Sequence, residues 1–214
     1  MNVLVIGANG QIGQHLVQLL KTDKKHNVKA MVRKQEQAQK LEEDGVETAI
    51  VDLEGDVGSI AEAAKGCDAI IFTAGSGGST GDDKTLLIDL DGAGKAIEAA
   101  QQAGVDRFIM VSAIQAHHRE NWNEQLKPYY VAKHYADRLL EASGLTYTIV
   151  RPGGLQNEEG TGKVNAAENL ELGFIPREDV ARTVIAALDE EQTYNKSFDL
   201  TTGETNIADA LKEV

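Results

Sequence analysis

Tyr129 and Lys133 stand four residues apart in the segment PYYVAK, which spans residues 128–133. Pro128 predicts the first turn of a helix, because its fixed φ suits that position. Residues four apart on a helix share a face, so the phenol and the ammonium can meet. A free phenol has a pKa of about 10, and a nearby ammonium stabilises the phenolate and lowers that pKa. The spacing therefore predicts proton transfer, with Tyr129 as acid or base and Lys133 as its partner.

Ser112 follows the apolar run Phe108–Val111, which predicts a buried strand. Ligands of open α/β sheets bind at the carboxyl ends of the strands, so this hydroxyl is placed to hydrogen-bond a substrate carbonyl or hydroxyl. Each residue alone also has a structural explanation, since a tyrosine packs, a lysine covers apolar surface and a serine ends a strand. Together they favour a catalytic set of Ser112, Tyr129 and Lys133.

Three glycines at three-residue spacing follow the apolar run Val3–Ile6 and precede a segment with helical periodicity. This order predicts a strand, a tight turn and a helix. Backbone amides and the positive end of a helix suit a pyrophosphate, so the turn indicates a dinucleotide site. An ordinary glycine-rich turn is the alternative. The predicted cofactor contacts here are Gly7, Asn9, Gly10, Gln11, Ile12 and Gly13.

The predicted second strand, Val28–Val32, ends at Arg33 and Lys34. The residue roughly 20 positions after the last glycine of such a turn usually lies beside the adenosine ribose. An acidic residue there would bind the ribose 2′-OH, whereas Arg33 offers a planar fork to a 2′-phosphate. The sequence therefore favours NADP over NAD, with Lys34 as a further contact. A solvated basic pair at the end of a strand is the alternative.

The ends of the third and fourth predicted strands supply further candidates. The third strand, residues 47–51, ends at Asp52 and Leu53. We expect Asp52 either to reach the adenine amine or to cap a helix, and Leu53 to line the adenine ring.

The fourth strand, residues 69–73, runs into a glycine-rich segment. Ala74 and Gly75 would let the cofactor backbone pass close to the edge of the sheet. Ser76 is a candidate substrate contact, and residues 76–81 are expected to form a mobile lip of the pocket. A merely flexible connection is the alternative for residues 77–81.

Strands and helices alternate along the chain with short connections. A helix is expected over residues 35–44, and Leu86, Leu90, Ala93, Ile97 and Ala100 mark one face of a long helix that ends at Gly104. A sixth strand is expected over residues 146–150. This order predicts an α/β fold with a Rossmann-type doubly wound parallel sheet and helices on both faces. We expect one domain over residues 1–214, in which residues 151–214 close the sheet and form a small substrate-side region.

Composition narrows the classes of partner. Lys and Arg number 21 and Asp and Glu 34, a formal net charge of −13 that argues against nucleic acid or an anionic membrane as partner. No apolar run approaches the roughly 20 residues of a membrane span, and we expect a cytoplasmic protein, monomer or homodimer, with a small-molecule substrate. His117 and His118 would point apart on any regular element, and the histidine spacing predicts no metal site.

Several segments together resemble the atypical or extended short-chain dehydrogenase/reductases. The similarity extends over nearly the whole chain, and it is greatest to the small NAD(P)-binding subgroup that is epimerase/dehydratase-like and NmrA-like, including short Bacillus proteins labelled sugar epimerases. The segments are GANGQIG, AMVRK, VDLEGD, CDAIIFTAG, FIMVSA, YYVAK, SGLTYTIVRPGGL and IPREDVA.

The resemblance implies Tyr129 as acid/base, Lys133 as its partner and on the nicotinamide ribose, and Ser112 as the polar orienter. It also implies that Pro152 and Gly153 lie beside the nicotinamide. One departure is Asp91, which stands where many members of the family place an Asn of the proton relay.

The polar segment between Ser112 and Tyr129 is expected to overhang the nicotinamide, with His117 and Trp122 as candidate substrate contacts. The alternative is an exposed loop that Trp122 anchors by packing. The sequence thus predicts an NADP(H)-dependent oxidoreductase for a small carbonyl or alcohol. A sugar epimerase or dehydratase and a non-catalytic NADP-sensing regulator of the NmrA type are the alternatives.

Overall fold

The computed structural model describes residues 1–78 and 80–214. The strands are β1 Asn2–Ile6, β2 Asn27–Val32, β3 Glu47–Ile50, β4 Ala69–Phe72, β5 Arg107–Val111, β6 Thr146–Pro152, β7 Gly154–Gln156, β8 Lys163–Ala167, β9 Phe174–Pro176, β10 Lys196–Thr202 and β11 Thr205–Asn206. The helices are α1 Gln11–Thr22, α2 Gln35–Glu43, α3 Val57–Ala64, α4 Asp82–Lys84, α5 Gly92–Ala103, α6 Lys127–Glu141, α7 Arg177–Ala187 and α8 Ile207–Ala210, with a π-helical segment over Thr85–Asp91. Within the described ranges, none of these helices is both long enough and apolar enough to cross a bilayer.

The main sheet has the order β3-β2-β1-β4-β5-β6-β10-β8-β11. Every pair from β3 to β10 is parallel, which confirms the predicted doubly wound sheet, whereas β8 and β11 add an antiparallel edge. A separate parallel pair, β7 and β9, belongs to the C-terminal region. The strand order reverses between β1 and β4, and ligands of such sheets bind in the crevice at that point.

Helices cover both faces of the sheet. Val3 and Val5 of β1 belong to an apolar cluster with α1 and α7, whereas the alternating residues Leu4 and Ile6 belong to a cluster with α3, α5 and α6. Side chains of a strand point to opposite faces in turn, so a strand covered on both faces is apolar throughout. This explains the continuous apolar runs by which the strands could be predicted.

The π-helical segment Thr85–Asp91 changes which side chains face inward at the start of the long predicted helix. The sequence placed Leu86 on the buried face, but Leu86 is 50% exposed while Thr85 and Asp89 are buried. A π-helix has wider turns than an α-helix, so it shifts the phase of every residue before it. The prediction was therefore wrong for Leu86, and correct from Ala93 to the left-handed cap at Gly104.

The turn after β1 is as tight as the glycine spacing predicts. Gly7 has a φ of +88°, and a Cβ there would lie 2.6 Å from the backbone nitrogen of Ala74. A Cβ on Gly13 would lie 2.2 Å from the Gly7 carbonyl oxygen. Both distances are shorter than any real contact, so only glycine allows α1 to approach β1 and β4 this closely.

We expect Gly13→Ala to lower the free energy of unfolding by about 1–3 kcal/mol, because the new methyl group meets rigid backbone. Gly94→Ala is the matched control, because Gly94 lies within α5 and a Cβ there would meet only Leu139 Cδ1 of α6, at 3.6 Å. It should be neutral or raise stability by about 0.5–1 kcal/mol, the usual difference between Gly and Ala in a helix. Urea unfolding followed by circular dichroism measures both. Equal stabilities for the two variants would contradict this account of the turn.

Candidate active site

A cavity of about 1140 Å³ opens at the carboxyl ends of the strands, where the strand order reverses. Its lining joins the glycine turn after β1, the end of β2, the segment after β4 and the first turns of α6. A pocket for one small ligand measures roughly 300–1,000 Å³. The cavity is thus large enough for a dinucleotide and a second small molecule.

The amino terminus of α1 presents unpaired amides to this cavity. The amides of Gln11, Ile12 and Gly13 have no backbone acceptor in the described part of the chain, and the first turn of the helix holds no acidic residue. Gln11 and Ile12 line the cavity with Gly7, Asn9 and Gly10, whereas Gly13 packs against the Gly7 carbonyl. Such a turn fits a phosphate group, because the amides can donate to its oxygens and the helix dipole favours its charge.

Arg33 lies at the end of β2 and lines the cavity. Its backbone amide donates to Gln37 Oε1, and its guanidinium has no partner among the described residues. Lys34 is exposed and does not line the cavity, since it lies at the start of α2 where its amide also donates to Gln37 Oε1. Of the two predicted cations, only Arg33 therefore faces the candidate site.

Asp52 and Leu53 both line the cavity after β3. The alternative role of Asp52 as a helix cap is wrong, because Asp56 caps α3 by accepting from the Ser59 amide. Asp52 instead accepts a hydrogen bond from the Glu54 amide at 3.0 Å, which fixes the turn. Leu53 is buried and supplies an apolar wall.

The segment after β4 forms another wall, and Ala74, Gly75 and Ser76 all line the cavity. The Ser76 amide donates to Asp89 Oδ2 at 2.9 Å, and the Ser76 hydroxyl lies 3.2 Å from that of Thr85. These bonds attach the wall to the π-helical segment. Residue 79, within the predicted lip, lies outside the described residues.

Tyr129 and Lys133 meet on one face of α6, as their spacing predicts, and both line the cavity. The Lys133 Nζ lies 5.6 Å from the centre of the Tyr129 ring. Lys133 also donates to Asp89 Oδ1 at 3.0 Å, and both side chains of this ion pair are at least 95% buried. The structure thus adds a carboxylate to the predicted pair.

The expected lowering of the Tyr129 pKa is wrong. Burial raises the pKa of the phenol above its ordinary value, although the Lys133 ammonium acts in the opposite direction. The negative charge of Asp89 disfavours a phenolate beside it, so Asp89 raises the pKa of Tyr129 and acts against Lys133. The protein without ligands therefore keeps Tyr129 in its neutral, proton-donating form.

Ser112 lies at the end of β5 in the wall of the cavity and is buried. Its hydroxyl lies close to the Asp137 carboxyl without forming a well-aligned hydrogen bond. Asp137 accepts from Arg151 Nε at 2.8 Å in a second buried ion pair beneath the site. Burial raises the pKa of Asp137, and Arg151 and Ser112 both oppose that rise. The predicted role of Ser112 toward a substrate stays a prediction.

The predicted substrate contacts His117 and Trp122 do not line the cavity. Trp122 stacks on Tyr130 with ring centres 6.0 Å apart, so the alternative role as a packing anchor is the one observed. His117 and His118 lie outside the regular elements, where they need not point apart, and both reach Asn169 Oδ1. Gln115, with a φ of +58°, turns the chain just before them. Within residues 1–78 and 80–214, no three His, Cys, Asp or Glu side chains form a group that could hold a metal ion.

Pro152 lines the cavity at the end of β6, but Gly153 does not. A Cβ on Gly153 would lie 2.3 Å from the Gly173 carbonyl oxygen, so this glycine permits close packing with the chain before β9. Gly153 therefore lies outside this cavity wall, and its implied place beside the nicotinamide stays a prediction.

Sequence reasoning missed three kinds of residue in this cavity. Asp89 is the carboxylate beside Lys133, whereas Asp91, which the resemblance aligned with the relay, is half exposed and pairs with Lys95 at 2.8 Å. Arg177 at the start of α7 lines the cavity and donates to Asn157 Oδ1. Leu126 and Leu155 form apolar parts of its rim. The motif IDLDG contains both Asp89 and Asp91, but only the π-helical phase decides which one faces inward.

Comparison with known proteins points to a nicotinamide cofactor. The family model described as NAD(P)H-binding matches residues 7–191. The chain is also 69% identical over 214 residues to the "Uncharacterized sugar epimerase YhfK" of Bacillus subtilis (strain 168), and the match covers 100% of both chains.

Two solved structures resemble the fold along almost its whole length. A protein named as an NAD-dependent epimerase/dehydratase of Bacillus halodurans has a TM-score of 0.94 and 42% identity, with 100% of both chains covered. ChuY, an anaerobillin reductase of Escherichia coli O157:H7, has a TM-score of 0.82 and 25% identity, with 96% of this chain and 99% of that chain covered.

We expect Gln11→Glu to weaken the binding of NADPH and NADH alike by about tenfold, or about 1.4 kcal/mol. The added carboxylate would lie in the first turn of α1, where it repels the pyrophosphate and offsets the positive end of the helix dipole that would otherwise attract it. Gln18→Glu is the control, because it adds the same charge to an exposed position farther along α1. Fluorescence titration of each reduced cofactor gives the affinities. Equal losses in the two variants would point to the net charge of the protein instead of the turn.

Proposed function

Because the chain belongs to the NAD(P)H-binding family, we propose that it is an NADP(H)-dependent oxidoreductase that transfers hydride to or from a small carbonyl or alcohol, with Tyr129 as acid/base. The observation that carries this proposal is the placement of Tyr129, Lys133 and Asp89 in the same cavity as the glycine turn. The turn supplies a site for the cofactor phosphates, and α6 supplies a proton at the opposite wall.

The cofactor supplies or accepts the hydride when it is bound. The residues of the chain supply the proton and the positions. The glycine turn and Arg33 would hold the anionic part of the cofactor, and Lys133 would bind its ribose. Tyr129, neutral in the free protein, donates its proton to the oxygen of a carbonyl as that oxygen gains charge. The neutral form of Tyr129 is therefore the form that catalyses reduction of a carbonyl.

The rim of the cavity beside Tyr129 suggests a substrate with an apolar body. Leu126 is 50% exposed and Leu155 is 38% exposed, and both lie in the cavity lining with Pro128. Apolar walls with a few placed polar groups are typical of sites for small organic molecules. The name of the reductase ChuY, a structural relative, supports a reductive role for this kind of site.

Arg33→Ala should weaken NADPH binding by at least tenfold and change NADH binding less than twofold. The guanidinium would lose a charge-assisted contact with the 2′-phosphate, which is worth about 1.5–3 kcal/mol. Lys34→Ala is the matched control, since Lys34 is the adjacent cation and lies outside the cavity wall. Affinities from fluorescence titration at fixed ionic strength test the assignment. Tighter binding of NADH than of NADPH by the unaltered protein would overturn it.

Tyr129→Phe should lower kcat for reduction by about 10²–10⁴, the usual contribution of a placed acid or base, and leave the Kd for NADPH nearly unchanged. Tyr130→Phe is the control, because Tyr130 is the next residue on α6 and stacks on Trp122. Turnover is measured as NADPH consumed with a panel of aldehydes, ketones and quinones. Undiminished turnover in Tyr129→Phe would remove this residue from the mechanism.

The same assay distinguishes reduction from epimerisation, the activity that the Bacillus subtilis relative is named for. A reductase consumes one NADPH for each carbonyl reduced, whereas an epimerase or dehydratase regenerates its cofactor in each cycle. Cofactor that stays bound through purification, with no net consumption of NADPH, would favour the epimerase. A protein that binds NADPH and turns over nothing in either assay would favour a regulator.

A further inference from the structure

Asp89 is a buried anion that connects three parts of the candidate site. Its Oδ1 accepts from the Lys133 ammonium at 3.0 Å, and its Oδ2 accepts from the Ser76 amide at 2.9 Å. A Cβ on Gly75 would lie 3.1 Å from Oδ1, so a larger residue at position 75 would press on the carboxylate. The side chain is 1% exposed. Both oxygens of Asp89 thus accept a hydrogen bond, one from α6 and one from the segment after β4.

The π-helical segment is what brings Asp89 to this position. In a regular helix the apolar spacing would turn Leu86 inward, but in the structure Thr85 and Asp89 face inward instead. Irregular turns of this kind are frequently found at functional sites. The segment thus leaves Leu86 exposed and buries the Asp89 carboxylate, an exchange that costs free energy and that packing alone would not favour.

The charges around Tyr129 form two neutral pairs. Lys133 pairs with Asp89 on the cavity side of α6, and Asp137 pairs with Arg151 beneath it. Tyr130 is the other titratable group that acts on the phenol. With both pairs intact, no net positive charge near Tyr129 favours its ionisation. The charge balance therefore depends on Asp89 as much as on Lys133.

We propose that Asp89 is a positioning residue that holds Lys133 beneath Tyr129 and cancels its charge, so that Tyr129 enters the reaction as a proton donor. This inference rests on the proposed reductase function. It gives the site a preferred direction, because a neutral phenol donates to a carbonyl whereas a phenolate would accept from an alcohol. Asp89 acts through Lys133 and needs no contact with the substrate.

Removal of the Asp89 charge should make Tyr129 easier to ionise. An unpaired buried ammonium favours an anion beside it, and the phenol is the group in place to supply one. In Asp89→Asn the amide keeps the shape of the side chain, but its single oxygen can accept from Lys133 or from the Ser76 amide and not from both. The change therefore removes the charge and one of the two hydrogen bonds.

The test is a titration of the protein without cofactor, followed by tyrosinate absorbance at 295 nm. The signal of Tyr129 is obtained by subtracting the same titration of Tyr129→Phe in each background. We expect at least ten times more Tyr129 phenolate in Asp89→Asn than in the unaltered protein at pH 9. Asp91→Asn is the matched control, because it removes an exposed carboxylate two residues away and should change nothing. An unchanged titration of Asp89→Asn would overturn the proposal.

A second comparison holds even if Asp89→Asn alone fails to fold. Lys133→Met and the double variant Lys133→Met/Asp89→Asn differ only in the Asp89 charge, and the double variant buries no unpaired ion. Tyr129 should ionise at a lower pH in the double variant, since the opposing anion is absent. Equal titrations in these two variants would also overturn the proposal.

The activity profile separates this inference from the proposed function. In Asp89→Asn, the ratio of kcat for reduction at pH 6 to that at pH 9 should be at least ten times larger than in the unaltered protein, whereas a purely structural role would lower kcat equally at both pH values. If Tyr129→Phe keeps full turnover, the proposed function fails while the titration still measures the effect of Asp89. If Tyr129→Phe is inactive and the titrations do not move, only the role of Asp89 fails.

Discussion

The buried ion pair between Lys133 and Asp89 is the interaction on which the arrangement of the site depends. It joins α6 to the π-helical segment, and the second oxygen of Asp89 fixes the backbone after β4. Loss of one partner of a buried pair typically costs about 3–5 kcal/mol, because the remaining charge is left without compensation. The pair therefore constrains three walls of the cavity at once, and it also sets the charge that Tyr129 experiences.

The two ends of the cavity differ in how their charges are compensated. At the end of β2, Arg33 lines the cavity without a partner among the described residues, and the amides of Gln11, Ile12 and Gly13 in the first turn of α1 have no backbone acceptor there either. At the α6 end, Lys133 and Arg151 each have a buried carboxylate. Unpaired donors suit an anionic ligand, whereas compensated charges leave a nearly neutral surrounding for a carbonyl. Under the proposed function, the site would bind an anion at one end and transfer a proton at the other.

Local patterns could be predicted because each depends on residues close together in the chain. The glycine spacing gave the turn after β1, and the four-residue spacing of Tyr129 and Lys133 gave their shared face. Features that depend on contacts between distant parts of the chain could not be predicted. The phase of the segment around Leu86 and the contact of Gly153 with Gly173 each depend on an irregular turn or on a distant segment.

The sequence by itself determined the doubly wound sheet, the glycine turn and the presence of a phenol and an ammonium on one helical face, because hydrophobic period and residue spacing are local properties. Only the tertiary structure decided the chemistry of that pair. The choice of Asp89 over Asp91 depends on the phase of a π-helical segment, and the effect on Tyr129 depends on burial between elements that are distant in the chain. The spacing alone predicted a lowered pKa for Tyr129, and the fold raises it because it buries the phenol and supplies a carboxylate for the lysine.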